Sequence, residues 1–172
     1  PYSCDIYAVI FSDSDSTVVP YCSLEYDGGA LAGWAGTWAQ RIKAVGTSMG
    51  GASIFFAGGD TWEKLATFRV RVGGPNGTQV GPAKSVHSTY QAATSGMVGA
   101  SWSPGEVPLT PGEDYYLEIA TEGFNPSVFT KSINAYPYGE AYQSGGAHPD
   151  KDLHLQVVEY ADYVPPDPPV LY

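Results

Sequence analysis

Residues 65–72 are written as strict alternation, with Leu65, Thr67, Arg69 and Arg71 on one face and Ala66, Phe68, Val70 and Val72 on the other. Successive side chains of a strand leave opposite faces of the pleat, so this period of two describes a half-buried β-strand. The run stops at Gly73-Gly74-Pro75-Asn76-Gly77, a segment of turn-forming residues. The same pairing of a short apolar run with a Gly- or Pro-rich stop recurs along the chain. Strand-like runs cover 5–11, 17–26, 37–45, 52–57, 65–72, 78–88, 97–102, 114–121, 127–135 and 152–160. Only 60–66 reads as a short helical turn. Nine to eleven strands at this spacing fit an antiparallel β-sandwich or jelly roll. No internal repeat and no second domain is visible.

Composition agrees with an all-β reading. Gly (21) and Pro (14) are abundant, and eight Lys plus Arg are too few to decorate many amphipathic helices. The formal net charge is −10, which argues against nucleic acid and against anionic membrane surfaces as partners. Neutral partners, cationic partners and divalent metals stay open. No apolar run is long enough for a transmembrane helix, and no signal-peptide pattern is present. The chain opens on Pro1 rather than Met, as a processed piece of a longer protein would. Residues 164–172 form a stiff Pro-rich segment of linker type, which predicts a neighbouring domain. The expected organisation is one sandwich domain over 1–163 followed by that linker.

Two cysteines, Cys4 and Cys22, sit in the first two strand-like runs when the first is taken from Cys4 to Phe11. If these runs form a hairpin with its loop near 13–16, Cys4 and Cys22 stand opposite each other. Opposed positions have Cβ separations close to what a disulfide needs. The alternative is two free buried thiols. A bridge would place the protein outside the cytoplasm.

Gly46-Thr47-Ser48-Met49-Gly50 matches G-x-S-x-G, the nucleophile elbow of α/β-hydrolases. The elbow needs a helix after the serine, and here a β-like run follows. The segment therefore reads as a Gly-rich β-turn, with a serine hydrolase using Ser48 only a remote alternative. His87, His148 and His154 show no zinc spacing. Glu118 and Glu159 could be paired carboxylates of a glycosidase, but each falls in a strand with a solvated face, so solvent-facing carboxylates are expected. Ser12-Asp13-Ser14-Asp15-Ser16 clusters hard oxygens on a turn, and Asp150, Asp152 and Asp162 form a second acidic group. Asp13, Asp15 and Asp152 are the candidate ligands of a structural Ca²⁺, if the first and last strands are neighbours. Ordinary turn chemistry of Asp is the alternative. No cofactor is required. Asn76-Gly77-Thr78 is a formal glycosylation sequon, read as coincidence.

The aromatics carry more information. Trp34 and Trp38 flank a Gly-rich segment, Trp102 abuts Ser103-Pro104-Gly105, and Tyr136, Tyr138 and Tyr142 crowd one short stretch. Flat rings at strand ends suit the apolar faces of sugars, and the alternative is that they cover the ends of the sandwich. Arg41, Gln143 and His148 could add polar contacts.

Several segments together carry a family resemblance. They are Trp38-Ala39-Gln40-Arg41-Ile42-Lys43-Ala44, Phe68-Arg69-Val70-Arg71-Val72, Gly73-Gly74-Pro75-Asn76-Gly77 with Val80-Gly81, and Val107-Pro108-Leu109-Thr110-Pro111-Gly112 leading into Tyr115-Tyr116-Leu117-Glu118-Ile119. Tyr136-Pro137-Tyr138-Gly139-Glu140-Ala141-Tyr142 and Asp152-Leu153-His154-Leu155 complete the set. Their order resembles the galactose-binding-like jelly-roll and carbohydrate-binding modules appended to secreted bacterial enzymes and surface proteins. The resemblance spans most of 37–159; the first 36 residues have no counterpart. It implies a secreted, non-catalytic module that targets a larger protein, such as a glycoside hydrolase, to polysaccharide. The competing expectation is a structural or protein-interaction module with buried aromatics and no glycan ligand.

Overall fold

The computed structural model describes residues 18–23, 29–32, 37–57, 62–90, 96–122, 127–131 and 139–160. Among them there is no helix. The strands are β1 (Val18–Ser23), β2 (Gly29–Ala32), β3 (Thr37–Lys43), β4 (Ser48–Ala57), β5 (Trp62–Val72), β6 (Thr78–Tyr90) and β7 (Gly96–Ser101). They continue with β8 (Asp114–Glu122), β9 (Ser127–Lys131), β10 (Ala141–Gln143), β11 (Gly146–His148), β12 (Asp152–Leu153) and β13 (Leu155–Tyr160).

Two antiparallel sheets pack together as a β-sandwich. A seven-stranded sheet runs β1-β13-β4-β9-β12, with β2 added on β9 and β7 on β4. A six-stranded sheet runs β11-β10-β3-β8-β5-β6. Their inner faces share one apolar core. From the six-stranded sheet come Trp38, Ile42, Phe68, Val70, Leu117 and Ile119; from the other come Ile54, Phe56, Val98, Val128, Leu155 and Val157. Trp38 meets Phe56 edge-on across the layers, with ring centroids 6.3 Å apart. The alternation expected at 65–72 is present: Ala66, Phe68 and Val70 are buried, and Arg69 and Arg71 lie on the other face. In 152–160, Leu153, Leu155 and Val157 form the buried face.

Three expectations change. First, the helical turn at 60–66 is not seen where the chain is described. Trp62 to Ala66 belong to β5, in register with β6 from Trp62 opposite Tyr90 onward. Second, the Gly-rich run 46–51 is only a bend at its start. From Ser48 it is strand β4, paired with β13 through Gly51 opposite Val158 and Met49 opposite Glu159. Gly50 is the extra residue of a β-bulge there, and its bare Cα lets the Tyr160 ring lie 3.1 Å from where a Cβ would stand. Third, 141–148 is a hairpin that strand patterning passed over. Its two loop residues, Ser144 (φ 50°) and Gly145 (φ 84°), both take positive φ, as a type I′ turn demands.

β1, which falls in the strand-like run 17–26, pairs with β13; the first run, 5–11, lies outside the described residues. Cys22 stands opposite Val157 in that pair. Cys4, and with it the proposed bridge, lies outside the described residues, as do the linker residues 164–172.

Candidate functional site

The outer face of the six-stranded sheet gathers the polar and aromatic side chains. On β3, core-facing Trp38, Gln40 and Ile42 leave Ala39, Arg41 and Lys43 pointing outward. On β8, core-facing Tyr115, Leu117 and Ile119 leave Tyr116, Glu118 and Ala120. Register turns these into rows across the sheet. Arg41 stands opposite Tyr116, and Tyr116 opposite Arg71. In the next row Tyr142 stands opposite Ala39, Ala39 opposite Glu118, and Glu118 opposite Arg69.

Two clusters result. At the β10 end, the Tyr116 and Tyr142 rings meet edge-to-face with centroids 5.6 Å apart. The Tyr142 hydroxyl donates to Glu140 Oε1, which lies 4.0 Å from Arg41 Nη1. Burial, followed by the bond to Glu140, pushes the Tyr142 hydroxyl well above its ordinary pKa, so it remains a donor at physiological pH. The Arg41 side chain is about one-third exposed, while its Nε is buried without a hydrogen-bond acceptor. At the β5 side, Glu118 takes Arg69 Nη1 at 2.8 Å and Arg71 Nε at 2.6 Å. Arg71 Nη1 also donates to the Gly77 carbonyl at 2.8 Å. Here the guanidiniums are held rigid by a carboxylate and a turn.

The expected site residues divide. Arg41 and Tyr142 are brought together on this face, but Tyr142 is buried, at 9% exposure, so it packs edge-on behind Tyr116 instead of offering the open ring expected of it. Gln143 and His148 are not: they stand in register with Trp38 and Ala141, whose side chains face the core, so they belong to the opposite side of the same edge. Trp38 and Trp102 are corrections. Both are core residues, at 0% and 2% exposure, and offer no ring face to a ligand. Trp102 instead donates its indole N–H to the Pro82 carbonyl at 2.9 Å, tying the end of β7 to β6. Trp34, Tyr136 and Tyr138 lie outside the described residues. Sequence reasoning missed Tyr116, Arg69 and Arg71 as site residues, although alternation in Tyr115-Tyr116-Leu117-Glu118 already puts Tyr116 and Glu118 on one face.

The carboxylates also differ from expectation. Glu118 is buried under its two arginines. Glu159 is fully buried in the other sheet, where Oε2 accepts the backbone N–H of Val45 (2.8 Å) and Gly46 (2.6 Å). Burial pushes its carboxyl above the usual range, against the pull of these two bonds. Two carboxylates on different sheets, each engaged in structure, do not form a glycosidase pair. Asp152 is fully buried and accepts Gln40 Nε2 at 2.8 Å. Asp13 and Asp15 lie outside the described residues, and among the described residues no three of His, Cys, Asp and Glu are grouped to hold a metal. Ser48 is buried, donates to the Val107 carbonyl at 3.1 Å and accepts from the Gly105 N–H at 2.8 Å. Its hydroxyl joins strands and loop.

A second surface lies on the outside of the seven-stranded sheet. It is an open groove of about 330 Å³ with Gly51, Ser53, Gly99 and Ser101 as its floor and Gln156 and Val158 on one flank. A Cβ on Gly99 would come within 2.6 Å of the Ser53 Cβ, so the floor is flat by necessity. None of the lining residues is charged.

No family model matches the sequence, and no curated protein is significantly similar to it. Among solved structures, the chain is similar to the clostridial cysteine protease Cwp84, in a cysteine-to-alanine variant after propeptide cleavage. The TM-score is 0.51 at 12% identity, over 88% of this chain and 41% of that one. The chain therefore spans less than half the length of that protein. At this identity the likeness is one of fold.

Proposed function

We propose that this chain is a non-catalytic carbohydrate-binding module of a secreted multidomain protein, and that the sugar sits on the outer face of the six-stranded sheet. One observation carries the reading: half-buried Tyr116, backed edge-to-face by buried Tyr142, stands directly opposite Arg41 on the neighbouring strand. Aromatic rings take the C–H face of a pyranose, and a guanidinium supplies fixed donors to its oxygens. Both groups are set by strand register, so little order has to be imposed on binding. The engaged serine and the separated carboxylates support binding over hydrolysis. Isothermal titration of the chain against a panel of soluble plant and microbial polysaccharides tests this. Binding to at least one glycan, weakened by Tyr116→Ala, is expected. No heat with any of them would sink the proposal.

A second reading has an observation of its own. Trp38 and Trp102 are buried, as a structural or protein-interaction module requires. Its surface would be the uncharged small-residue groove, which suits close approach of another backbone. The same titration separates the two, because this module binds no glycan.

A further inference from the structure

Charge is distributed unevenly between the six-stranded sheet and the rest of the chain. The six-stranded sheet holds Arg41, Lys43, Lys64, Arg69, Arg71 and Lys84, six of the eight Lys and Arg of the chain. Its strands hold Glu63, Asp114, Glu118 and Glu122, four of the eighteen Asp and Glu. That leaves two formal positive charges net on this sheet. The rest of the chain has fourteen acids against two cations, or twelve negative charges net. An acidic protein has thus concentrated its cations on one layer.

The cations of the outer face are not equivalent. Arg69 and Arg71 share the Glu118 carboxylate at 2.6–2.8 Å, and Lys43 lies 3.5 Å from Asp114. Arg41 has only a 4.0 Å approach to Glu140, and that carboxylate already accepts the Tyr142 hydroxyl. The Arg41 Nε finds no acceptor and is itself buried, which leaves the Nη end of the one-third-exposed side chain to meet a ligand. A guanidinium carries five N–H donors in a planar fork that matches a carboxylate in bidentate fashion. On the adjacent strand, directly opposite, stands Tyr116.

Resting on the glycan-binding reading above, we propose that the ligand is an acidic polysaccharide, with a hexuronate carboxylate on Arg41 and the sugar ring against Tyr116, which buried Tyr142 backs. A hexuronate offers both groups at once: one carboxylate per pyranose, and an apolar ring face next to it. A single under-engaged guanidinium answers a single negative charge. On the outer face itself Arg41, Lys43, Arg69 and Arg71 are balanced by Asp114, Glu118, Glu122 and Glu140, so a polyanion meets no net repulsion there, unlike over the acidic remainder of the chain. Beyond about 8 Å physiological salt screens the remaining acids, so the local fork governs the bound state.

The test compares de-esterified polygalacturonate with the same polymer fully methyl-esterified, alongside a neutral galactan and dextran sulfate, by titration of the full chain. Wild type is expected to bind the acid form roughly tenfold or more tightly than the ester, the scale of one charge-assisted bond. Arg41→Gln is expected to abolish that preference, while Lys131→Gln, which removes the same charge from β9 of the other sheet, leaves it intact. The acid-to-ester ratio of wild type needs no variant, so a poorly folding Arg41→Gln does not rescue the idea. Equal binding of acid and ester, preference for dextran sulfate over polygalacturonate, or equal effects of the two variants would overturn it. Binding to galactan alone overturns this inference and leaves the glycan-binding reading standing. Binding to none of the four polymers overturns this inference, and the wider panel then decides the function.

Discussion

Gln40 of β3 and Asp152 of β12 join the two sheets through the core: Gln40 Nε2 donates to Asp152 Oδ1 at 2.8 Å, and Gln40 Oε1 accepts the Leu153 N–H at 2.9 Å. Both residues are fully buried. A buried polar group without its partner costs about 1–3 kcal/mol. Asp152→Ala is therefore expected to destabilise by about that much in urea denaturation, and Asp152→Asn, which keeps an acceptor oxygen, by clearly less. If the two variants unfold at the same denaturant concentration, the amide–carboxylate contact is not what holds these layers.

Glu159 predicts how stability varies with pH. Its carboxyl is raised above the ordinary value in the folded chain by burial. Between the unfolded and folded pKa the native state binds the extra proton. Its contribution is fully present below the unfolded pKa and is lost as pH rises through the folded one. Thermal melts across this window should show a decline toward neutral pH that Glu159→Gln flattens. Glu159→Ala strands the Val45 and Gly46 N–H groups and should cost about 1–3 kcal/mol. A Glu159→Gln profile identical to wild type would contradict the account.

Ser144 sits at φ 50° in the β10–β11 turn. Non-glycine residues avoid this region, and Asn tolerates it better than Ser. Ser144→Gly or Ser144→Asn should raise the melting temperature, by about 0.5–1 kcal/mol in stability. A lower melting temperature for both variants would argue against the turn.

The tryptophans and tyrosines should separate stability from binding. Trp38→Ala removes a core side chain that packs on Phe56 and should cost about 3–5 kcal/mol. Trp102→Phe keeps most of the ring but loses the bond to Pro82, leaving that carbonyl to solvent or unpaired, at about 1 kcal/mol. Neither Trp102→Phe nor other conservative core changes should alter glycan affinity. Tyr116→Ala should weaken affinity with a smaller effect on the melt. The reverse assignment would move the site elsewhere.

Much of the fold can be read from local pattern, because β5 and β13 alternate over enough residues to define a core face. What local pattern does not carry is register. It is register that sets Glu118 between Arg69 and Arg71 and so buries a carboxylate expected in water. Register also brings Tyr116 to Arg41 across two strands that are far apart in sequence. Trp38 reads as a loop-end ring beside its glycines, although Trp38 and Ile42 share one face of a strand, and that face is apolar. The Gly-rich run 46–51 misleads for a different reason: its glycines serve a bulge and a neighbouring Tyr160 ring, and both depend on β13, near the far end of the chain. Of the candidate site, Arg41 and Tyr142 are visible in the sequence as residue types. Their common face is not.

The central claim is that the outer face of the six-stranded sheet binds sugar. Backbone amide shift mapping on adding galacturonate oligosaccharides, with neutral oligosaccharides as a second titrant, tests it most directly. Saturable shifts concentrated on β3, β8 and β10 around Arg41, Tyr116 and Tyr142 are predicted. Shifts that centre on the Gly51–Ser53–Gly99–Ser101 groove, or no shifts with either titrant, would contradict it.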